Sequence, residues 1–370
     1  MPIRIIIAGG GTGGHIFPAV AIGHAVQRLS PGAELLFVGA EGRMEMEKVP
    51  QEGFRIIGLP IAGFDRGNLL KNLTLPFKLL KSLSKARKVI SDFKPHAVVG
   101  VGGYASFPVL RAAQSRNIPT LIQEQNSFAG KSNKILARKA KAICVAYEGM
   151  EKFFPANKIL LTGNPVRKSI SQSTVSKAEA RAALGIDPEA KLILIVGGSL
   201  GAKSVNEAIG AGLEKLMAEG VQLLWQTGKP YIETAKVQAA PYAGRVLATE
   251  FIRQMDLAYA ASDLVVSRAG ALAIAELCIA AKPVIFVPYP FAAEDHQTSN
   301  AMALVKHSAA QIVSNDAAAT DLVPKLISLL HDEAAQSSMS EALRKLAIHD
   351  ADDRIARELI AMAHPNLQNQ

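Results

Sequence analysis

The sequence predicts an α/β protein built from two Rossmann-like domains in tandem, and three observations carry that prediction. Short strand-like runs rich in Val, Ile and Leu alternate with helical runs along the chain, the pattern of parallel sheets covered on both faces. Two of these runs, Ile3–Ala8 and Leu192–Val196, feed directly into Gly9-Gly10-Gly11-Thr12-Gly13-Gly14 and Gly197-Gly198-Ser199-Leu200-Gly201-Ala202. A strand, a glycine turn and a helix start, met twice, read as one unit repeated. The length of 370 residues suits two domains at roughly 100–200 residues each.

Strands of the first half are expected at Arg4–Ala8, Leu35–Val38, Arg55–Leu59, Ala97–Val101, Thr120–Gln123, Ala142–Ala146 and near Ile159–Thr162. Those of the second half are expected at Leu192–Val196, Gln222–Gln226, Val246–Thr249, Leu264–Ser267, Val284–Val287 and Ala310–Ile312. The linker falls near Gly163-Asn164-Pro165-Val166-Arg167 and the polar run Ser169–Lys177, giving domains over 1–163 and 164–345. The last helical stretch, Ala334–Ala363, is rich in Ala, Leu and charge, and part of it, about 346–370, could pack back on the first domain.

Composition excludes several classes. A chain that is 49% hydrophobic and 20% charged has enough apolar surface to build cores and is not disordered. Cys144 and Cys278 both lie in apolar runs without metal-ligand spacing, so they read as reduced, buried thiols. The N-terminal apolar run is too short for a signal peptide, and no stretch approaches the ~18 apolar residues of a membrane span. A cytoplasmic protein, at most peripheral to a membrane, is expected. Charge is uneven: residues 1–167 hold 23 Lys and Arg against 10 Asp and Glu, a net +13, while residues 168–370 hold 18 against 22, a net −4. The first half is therefore the one expected to meet an acidic partner.

The first glycine loop formally fits the dinucleotide fingerprint as Gly9-x-Gly11-x-x-Gly14, which holds a pyrophosphate at a helix N-terminus. The fingerprint wants an acid about 20 residues on; the nearest is Glu41, 27 residues past Gly14. A ligand-free tight turn is the plainer alternative. His15 shifts the balance. It sits in the first helical turn at the carboxyl end of the first strand, where such sheets bind ligands. A dinucleotide has no use for an imidazole there, whereas a hydroxyl nucleophile needs a base with a pKa near neutral. The competing reading is a histidine that caps or packs the helix end.

The second loop, Gly197–Ala202, offers backbone N–H groups and the Ser199 hydroxyl as a phosphate cradle, and lacks the Lys-Ser/Thr of a nucleoside-triphosphatase loop. Ser267-Arg268-Ala269-Gly270-Ala271-Leu272-Ala273-Ile274-Ala275-Glu276 opens a further helix after a buried strand. Its first N–H groups suit an anion, and Glu276 could accept both hydroxyls of a ribose; alternatively Glu276 is a solvated helix residue. The loop Pro288–Phe291 leads to Glu294-Asp295-His296-Gln297, whose amide and hydroxyl-reading groups suit a sugar. Asp350-Ala351-Asp352 imitates a metal-binding Asp-x-Asp but lies in a charged helical tail, so it reads as surface.

Taken together these motifs resemble the MurG family, the bacterial peptidoglycan N-acetylglucosaminyltransferases of the GT-B fold. The resemblance rests on Gly10–His15, Gly102-Gly103-Tyr104-Ala105-Ser106, Glu124-Gln125-Asn126, Gly163–Arg167, Gly197–Ala202, Glu250-Phe251-Ile252, Arg268–Ala271 and Asp295-His296-Gln297, in family order over nearly the full chain. It implies two Rossmann-like domains whose parallel sheets face across a cleft. It also implies transfer of N-acetylglucosamine from UDP-N-acetylglucosamine to the muramyl 4-hydroxyl of lipid I, the undecaprenyl-pyrophosphoryl-muramyl-pentapeptide, giving lipid II with inversion. By position Thr12, Gly13, Gly14, Asn126, Arg167, Ser199, Ile252, Ala271, Leu272, Ala273, Ile274, Ala275, Glu276 and Gln297 look like the family's donor contacts. Gly103, Tyr104 and Ser106 are candidates for the acceptor loop. The loop Ala105-Ser106-Phe107-Pro108 departs from the family's Val-Ser-Gly-Pro form.

Inversion in one step needs a base for the acceptor hydroxyl and a seat for departing UDP. His15 is the expected base and Glu124 its rival, since a carboxylate at ordinary pKa is the weaker base. The N–H groups around Ser199, Ala271 and Leu272, with Arg167, are expected to hold the diphosphate. No metal or other cofactor is called for, and activity lost in chelator and restored by a divalent ion would sink that reading. Residues 69–94 join apolar Leu69, Leu70, Leu73, Phe77, Leu80 and Leu83 to Lys71, Lys78, Lys81, Lys85, Arg87 and Lys88. This reads either as a core-packed helix with a basic face or as a helix on an anionic membrane surface. A lipid-borne acceptor favours the second reading, with Leu73, Phe77, Lys78, Leu80 and Lys81 at the surface and the protein on the cytoplasmic face of the inner membrane. Nucleic acid is not expected, since the segment has no interleaved aromatics. Other classes remain: a different GT-B enzyme such as a glycolipid transferase or UDP-sugar epimerase, a non-catalytic UDP-sugar-binding protein, or an NAD-dependent oxidoreductase.

Overall fold

The computed structural model describes residues 2–11, 13–61, 74–198 and 200–364. It divides into two compact units, Met1–Arg167 with Asp350–Gln370 and Lys168–His349. The first division, after Arg167, falls within the expected linker, and the return to unit 1 begins at Asp350, four residues past the expected 346.

Unit 1 contains β1 (Arg4–Ala8), β2 (Glu34–Ala40), β3 (Ile56–Leu59), β4 (Ala97–Gly100), β5 (Thr120–Glu124), β6 (Ala142–Val145) and β7 (Ile159–Leu161). They form one sheet in the order β3-β2-β1-β4-β5-β6-β7, parallel throughout, with Ile5 opposite Leu35 and Ala97 and Ile7 opposite Phe37 and Val99. Its helices are α1 (Gly13–Leu29), α2 (Glu45–Gln51), α3 (Leu75–Phe93), α4 (Ser106–Gln114) and α5 (Lys131–Ala137). The two-residue period of a strand explains why both faces of β1 are apolar. Ile5 and Ile7 pack among Ile16, Ile22 and Val26 of α1. Ile6 and Ala8 pack on the other side, among Ala86 and Ile90 of α3 and Val109 and Leu110 of α4.

Unit 2 begins with α6 (Lys168–Ser171) and α7 (Lys177–Leu184), the latter closed by a capping box between Ser176 and Glu179. Its strands are β8 (Leu192–Val196), β9 (Gln222–Gln226), β10 (Val246–Thr249), β11 (Leu264–Ser267), β12 (Val284–Phe286) and β13 (Gln311–Ile312). They are parallel, in the order β10-β9-β8-β11-β12-β13, with Ile195 opposite Trp225 and Val266. Around them lie α8 (Lys203–Ala211), α9 (Leu213–Ala218), α10 (Ile232–Ala239), α11 (Met255–Ala261), α12 (Ala271–Ala280), α13 (His296–Val305), α14 (Ala318–His331) and α15 (Glu333–Leu346). Both sheets thus show the Rossmann order, reversing beside their first strand.

The expected long terminal helix is two helices: α15 stays in unit 2, and α16 (Ala351–Ala363) packs in unit 1. Ile355, Leu359 and Met362 of α16 are buried with α1 and β1 residues, each contributing roughly 1.5–3 kcal/mol. Arg28 of α1 pairs with Asp352 at 3.3 Å and also with Asp353. The Asp350–Asp352 stretch therefore anchors a helix instead of lying idle on the surface. Cys144 and Cys278 are free and buried, and burial pushes both thiols up to about 12.

Candidate active site

In unit 1 the sheet order changes direction between β1 and β4, so the carboxyl ends of those strands form the crevice where such sheets take ligands. The two glycine segments meet there. A Cβ on Gly103 would lie 1.9 Å from the Gly10 carbonyl oxygen. Gly103, at φ 80°, is what lets the loops touch. A Cβ on Gly102 would fall 2.5 Å from Cδ2 and 2.7 Å from Nε2 of His15, so the imidazole rests directly on the β4 loop. Gly13 and Gly14 form the first turn of α1 beside it. Tyr104 is exposed and its ring faces Gly11. Ser106 is buried: its hydroxyl lies 2.8 Å from the carbonyls of both Ala8 and Gly102 and accepts the Gly102 N–H at 3.1 Å. Its hydroxyl is spent on holding the loop, leaving Gly103 and Tyr104 as the presented residues.

Glu45, which sequence reasoning passed over, is central to this loop. Its Oε2 accepts the Gly11 N–H at 2.9 Å and its Oε1 accepts the Ala40 N–H at 2.9 Å. Glu41, the acid considered for a dinucleotide, instead pairs at the exterior with Lys85 at 2.7 Å. The Gly11 N–H, a donor a pyrophosphate would want, is already held by the protein's own carboxylate. That argues against the dinucleotide reading.

Glu124 ends β5 and is buried. One oxygen accepts from Asn126 N at 3.2 Å and Asn126 Nδ2 at 3.4 Å; the other accepts from Gly130 N at 3.2 Å and Asn133 Nδ2 at 2.8 Å. Burial raises its pKa, opposed by these hydrogen bonds. The carboxylate thus organises its own loop, including Asn126. A further chain runs Gln123 Nε2 to Asn164 Oδ1 (2.9 Å), Asn164 Nδ2 to the Gln125 carbonyl (3.0 Å) and Gln125 Nε2 to the Val101 carbonyl (3.1 Å). It fixes the segment ending in Arg167, whose guanidinium lies 6.0 Å from the Phe17 ring centroid on α1.

Unit 2 repeats the arrangement. Its order reverses between β8 and β11. A Cβ on Gly201 would stand 1.9 Å from the Thr227 carbonyl oxygen, which requires glycine at φ 75°. A Cβ on Gly198 or Gly270 would meet nothing within 4 Å, so both turns present backbone to open space. Gln226, buried and also not flagged by the sequence, donates from Nε2 to the Gly198 carbonyl at 2.9 Å and accepts the Ile252 N–H at 3.0 Å. It ties the glycine loop to the Ile252 loop. Gly270 caps α12, whose first turn is Ala271–Ala273, so the positive end of the helix faces the same side as the Gly270 turn. Ile274 is buried and its N–H bonds the Gly270 carbonyl, so its side chain serves the core. Ala275 is half-buried.

Glu276 is buried, not solvated, and accepts the Tyr259 hydroxyl at 3.2 Å. Arg268 donates to the Val287 and Pro288 carbonyls and to Asn315 Oδ1 at 2.9–3.0 Å, and to Ser204 Oγ at 3.2 Å. Burial lowers its pKa below that of a free guanidinium. Gln297 in α13 accepts the Tyr289 N–H at 2.9 Å, just after Glu294 and Asp295 at φ 55° and 51°, a left-handed pair that stores strain beside the expected sugar-reading loop.

On α3, Phe77 and Leu80 are 72% and 65% exposed, with Lys78 and Lys81 alongside, while Ala86, Val89 and Ile90 are buried. Thr12, Leu73 and Ser199 lie outside the described residues.

Comparison with known proteins agrees with this geometry. Residues 5–145 match the glycosyltransferase family 28 N-terminal domain and residues 192–355 its C-terminal domain. The chain is 55% identical over 364 residues, covering 98% of itself and 96% of the relative, to the UDP-N-acetylglucosamine--N-acetylmuramyl-(pentapeptide) pyrophosphoryl-undecaprenol N-acetylglucosamine transferase of Phocaeicola vulgatus. The MurG crystal structure from Acinetobacter baumannii superposes with a TM-score of 0.80 at 31% identity, covering 97% of this chain and 99% of that one. The fold class is accordingly GT-B, two Rossmann-like units. The UDP-GlcNAc 2-epimerase of Neisseria meningitidis, at 15% identity and a TM-score of 0.66 over 97% of this chain and all of that one, shares the fold alone.

Proposed function

The chain belongs to the MurG family, within glycosyltransferase family 28, and from that premise we propose that it transfers N-acetylglucosamine from UDP-N-acetylglucosamine to the muramyl 4-hydroxyl of lipid I, yielding lipid II. The observation that carries this reading is the division of chemistry between the two switch points. Unit 1 sets an imidazole on the β4 loop beside Gly103 and Tyr104. Unit 2 turns its backbone to open space at Gly198 and Gly270, and Gly270 opens the helix that carries a buried carboxylate, Glu276.

The acceptor hydroxyl attacks the anomeric carbon, His15 takes its proton, and UDP departs from the opposite face. His15 is preferred over Glu124 because the Glu124 oxygens are buried and accept four N–H bonds from their own loop. Glu124 then holds Asn126 in place. The negative charge that develops on UDP is met within unit 2 by backbone N–H groups at the Gly198 and Gly270 turns, which face open space and are held in place before the reaction begins. Glu276, oriented by Tyr259, accepts the ribose hydroxyls. Ile252 and Gln297 are the remaining donor contacts of unit 2, to base and sugar.

The lipid-borne acceptor is met at the cytoplasmic face of the inner membrane. Among the described residues no helix is long and apolar enough to cross a membrane. Phe77 and Leu80, exposed next to Lys78 and Lys81, support a peripheral contact in which apolar side chains enter an anionic surface and lysines meet its headgroups.

The test is transfer of labelled N-acetylglucosamine to a short-chain lipid I analogue, with product analysis. Wild type is expected to transfer. His15→Ala is expected to lose turnover, on the order of 100-fold or more for a lost general base, while still binding UDP. Turnover retained by His15→Ala and lost by Glu124→Ala would reverse the assignment. UDP-sugar binding without transfer by wild type would refute the proposed reaction.

A further inference from the structure

We propose that Glu45 is a positioning residue for this reaction, acting on His15 through the first glycine loop. The proposal rests on the reading of His15 as base, but the observations behind it do not. Glu45 opens α2 and is 1% exposed. Its two oxygens take the Gly11 and Ala40 N–H groups at 2.9 Å each. A Cβ on Gly10 would stand 2.1 Å from Glu45 Oε1, and one on Gly39 would stand 2.5 Å from its Cγ. Glycine in the loop after β1 and near the end of β2 therefore makes room for this side chain.

The contacts continue in one direction. Glu45 holds the loop after β1 to the end of β2. The Gly10 carbonyl of that loop is the surface on which Gly103 lies, and the neighbouring Gly102 seats the imidazole. A carboxylate is the side chain this arrangement needs, because both groups facing it are donors. A glutamine would offer one acceptor and turn its own N–H towards the other donor. The loop would then move away from that contact, and the imidazole's seat would move with it. A displacement of about 1 Å at reacting atoms costs on the order of 100-fold in rate.

The experiment is a double-mutant cycle in the full chain: wild type, Glu45→Gln, His15→Ala and the double variant, read for kcat, KM and UDP-N-acetylglucosamine affinity with the short-chain lipid I analogue. Glu45→Gln is expected to lower kcat on the order of 10–100-fold. Donor affinity and donor KM should stay within about twofold, and the substitution should add nothing further to the residual turnover of His15→Ala. Wild-type kcat in Glu45→Gln, or losses that multiply in the double variant, would overturn the proposal while leaving the base assignment standing. Full turnover by His15→Ala would remove the base assignment and the proposal with it. If Glu45→Gln does not fold, the cycle is run with Glu45→Asp, which keeps the charge but is too short to span both N–H groups. Failure of both to bind donor would assign Glu45 to the fold and overturn the proposal.

Discussion

Gln226→Leu separates the donor seat from the rest of the fold. The buried amide makes two bonds, to the Gly198 carbonyl and from the Ile252 N–H. Leucine fills a similar volume but leaves one acceptor and one donor without their partner. A buried polar group so orphaned costs about 1–3 kcal/mol, so two cost about 2–6 kcal/mol if neither loop moves. If the loops part and admit water, the cost shifts to donor binding, where about 1.4 kcal/mol is tenfold. Urea unfolding and calorimetric titration of UDP-N-acetylglucosamine read the two routes together. We expect a summed loss of at least about 2 kcal/mol, with kcat at saturating donor changed far less than KM. A variant with wild-type stability and wild-type donor KM would refute the idea that this amide couples the two loops.

Other substitutions probe unit 1. Glu124→Gln removes a carboxyl whose pKa burial has raised above its ordinary 4.5. A raised folded pKa favours the folded state fully below the unfolded value and loses that contribution as pH rises through the folded one. The stability of wild type minus Glu124→Gln, from urea melts between about pH 5 and 8, should therefore shrink as pH rises; growth with pH would show that the four hydrogen bonds outweigh burial. Gly103→Ala would press a Cβ to 1.9 Å from the Gly10 carbonyl at a left-handed φ that itself costs roughly 1–2 kcal/mol. Turnover should fall at least tenfold with UDP affinity retained, and an unchanged kcat would refute the close approach of the two loops. Phe77→Asp with Leu80→Asp should weaken co-sedimentation with phosphatidylglycerol vesicles without changing transfer to a soluble acceptor analogue. Equal vesicle binding would move the membrane contact elsewhere.

The order of the fold was legible because each strand is a short apolar run bounded by turn residues, and thirteen such runs match the thirteen strands among the described residues. The placing of the glycine turns after the first strand of each sheet, with His15 behind one of them, was legible for a related reason: a parallel α/β sheet gathers the ends of its strands at one edge. Glu45 and Gln226 were not. Each pairs with a backbone group more than 20 residues away, and the sequence around it does not reveal that partner. Glu41 lies just past the end of β2 and turns outward to Lys85, and the chain makes a further turn before α2 brings Glu45 inward. The signal was the sheet order itself: β2 lies beside β1, so an acid opening the helix after β2 can reach the loop after β1. Ser106 misled in the opposite sense, since a hydroxyl in a glycine loop looks presented until its buried carbonyl partners are seen.

The return of α16 to unit 1 sets a timetable for synthesis. The helix that completes one wall of the first core follows Lys168–His349 in the chain. At about 5–20 residues per second on a ribosome, the roughly 180 residues of unit 2 take on the order of 10–40 s to emerge. Throughout that interval the surfaces of α1 and β1 that receive Ile355, Leu359 and Met362 are uncovered on a nascent chain. The first unit to begin folding is thus the last to be sealed, and shielding that apolar face during the wait falls to chaperones or to speed of elongation.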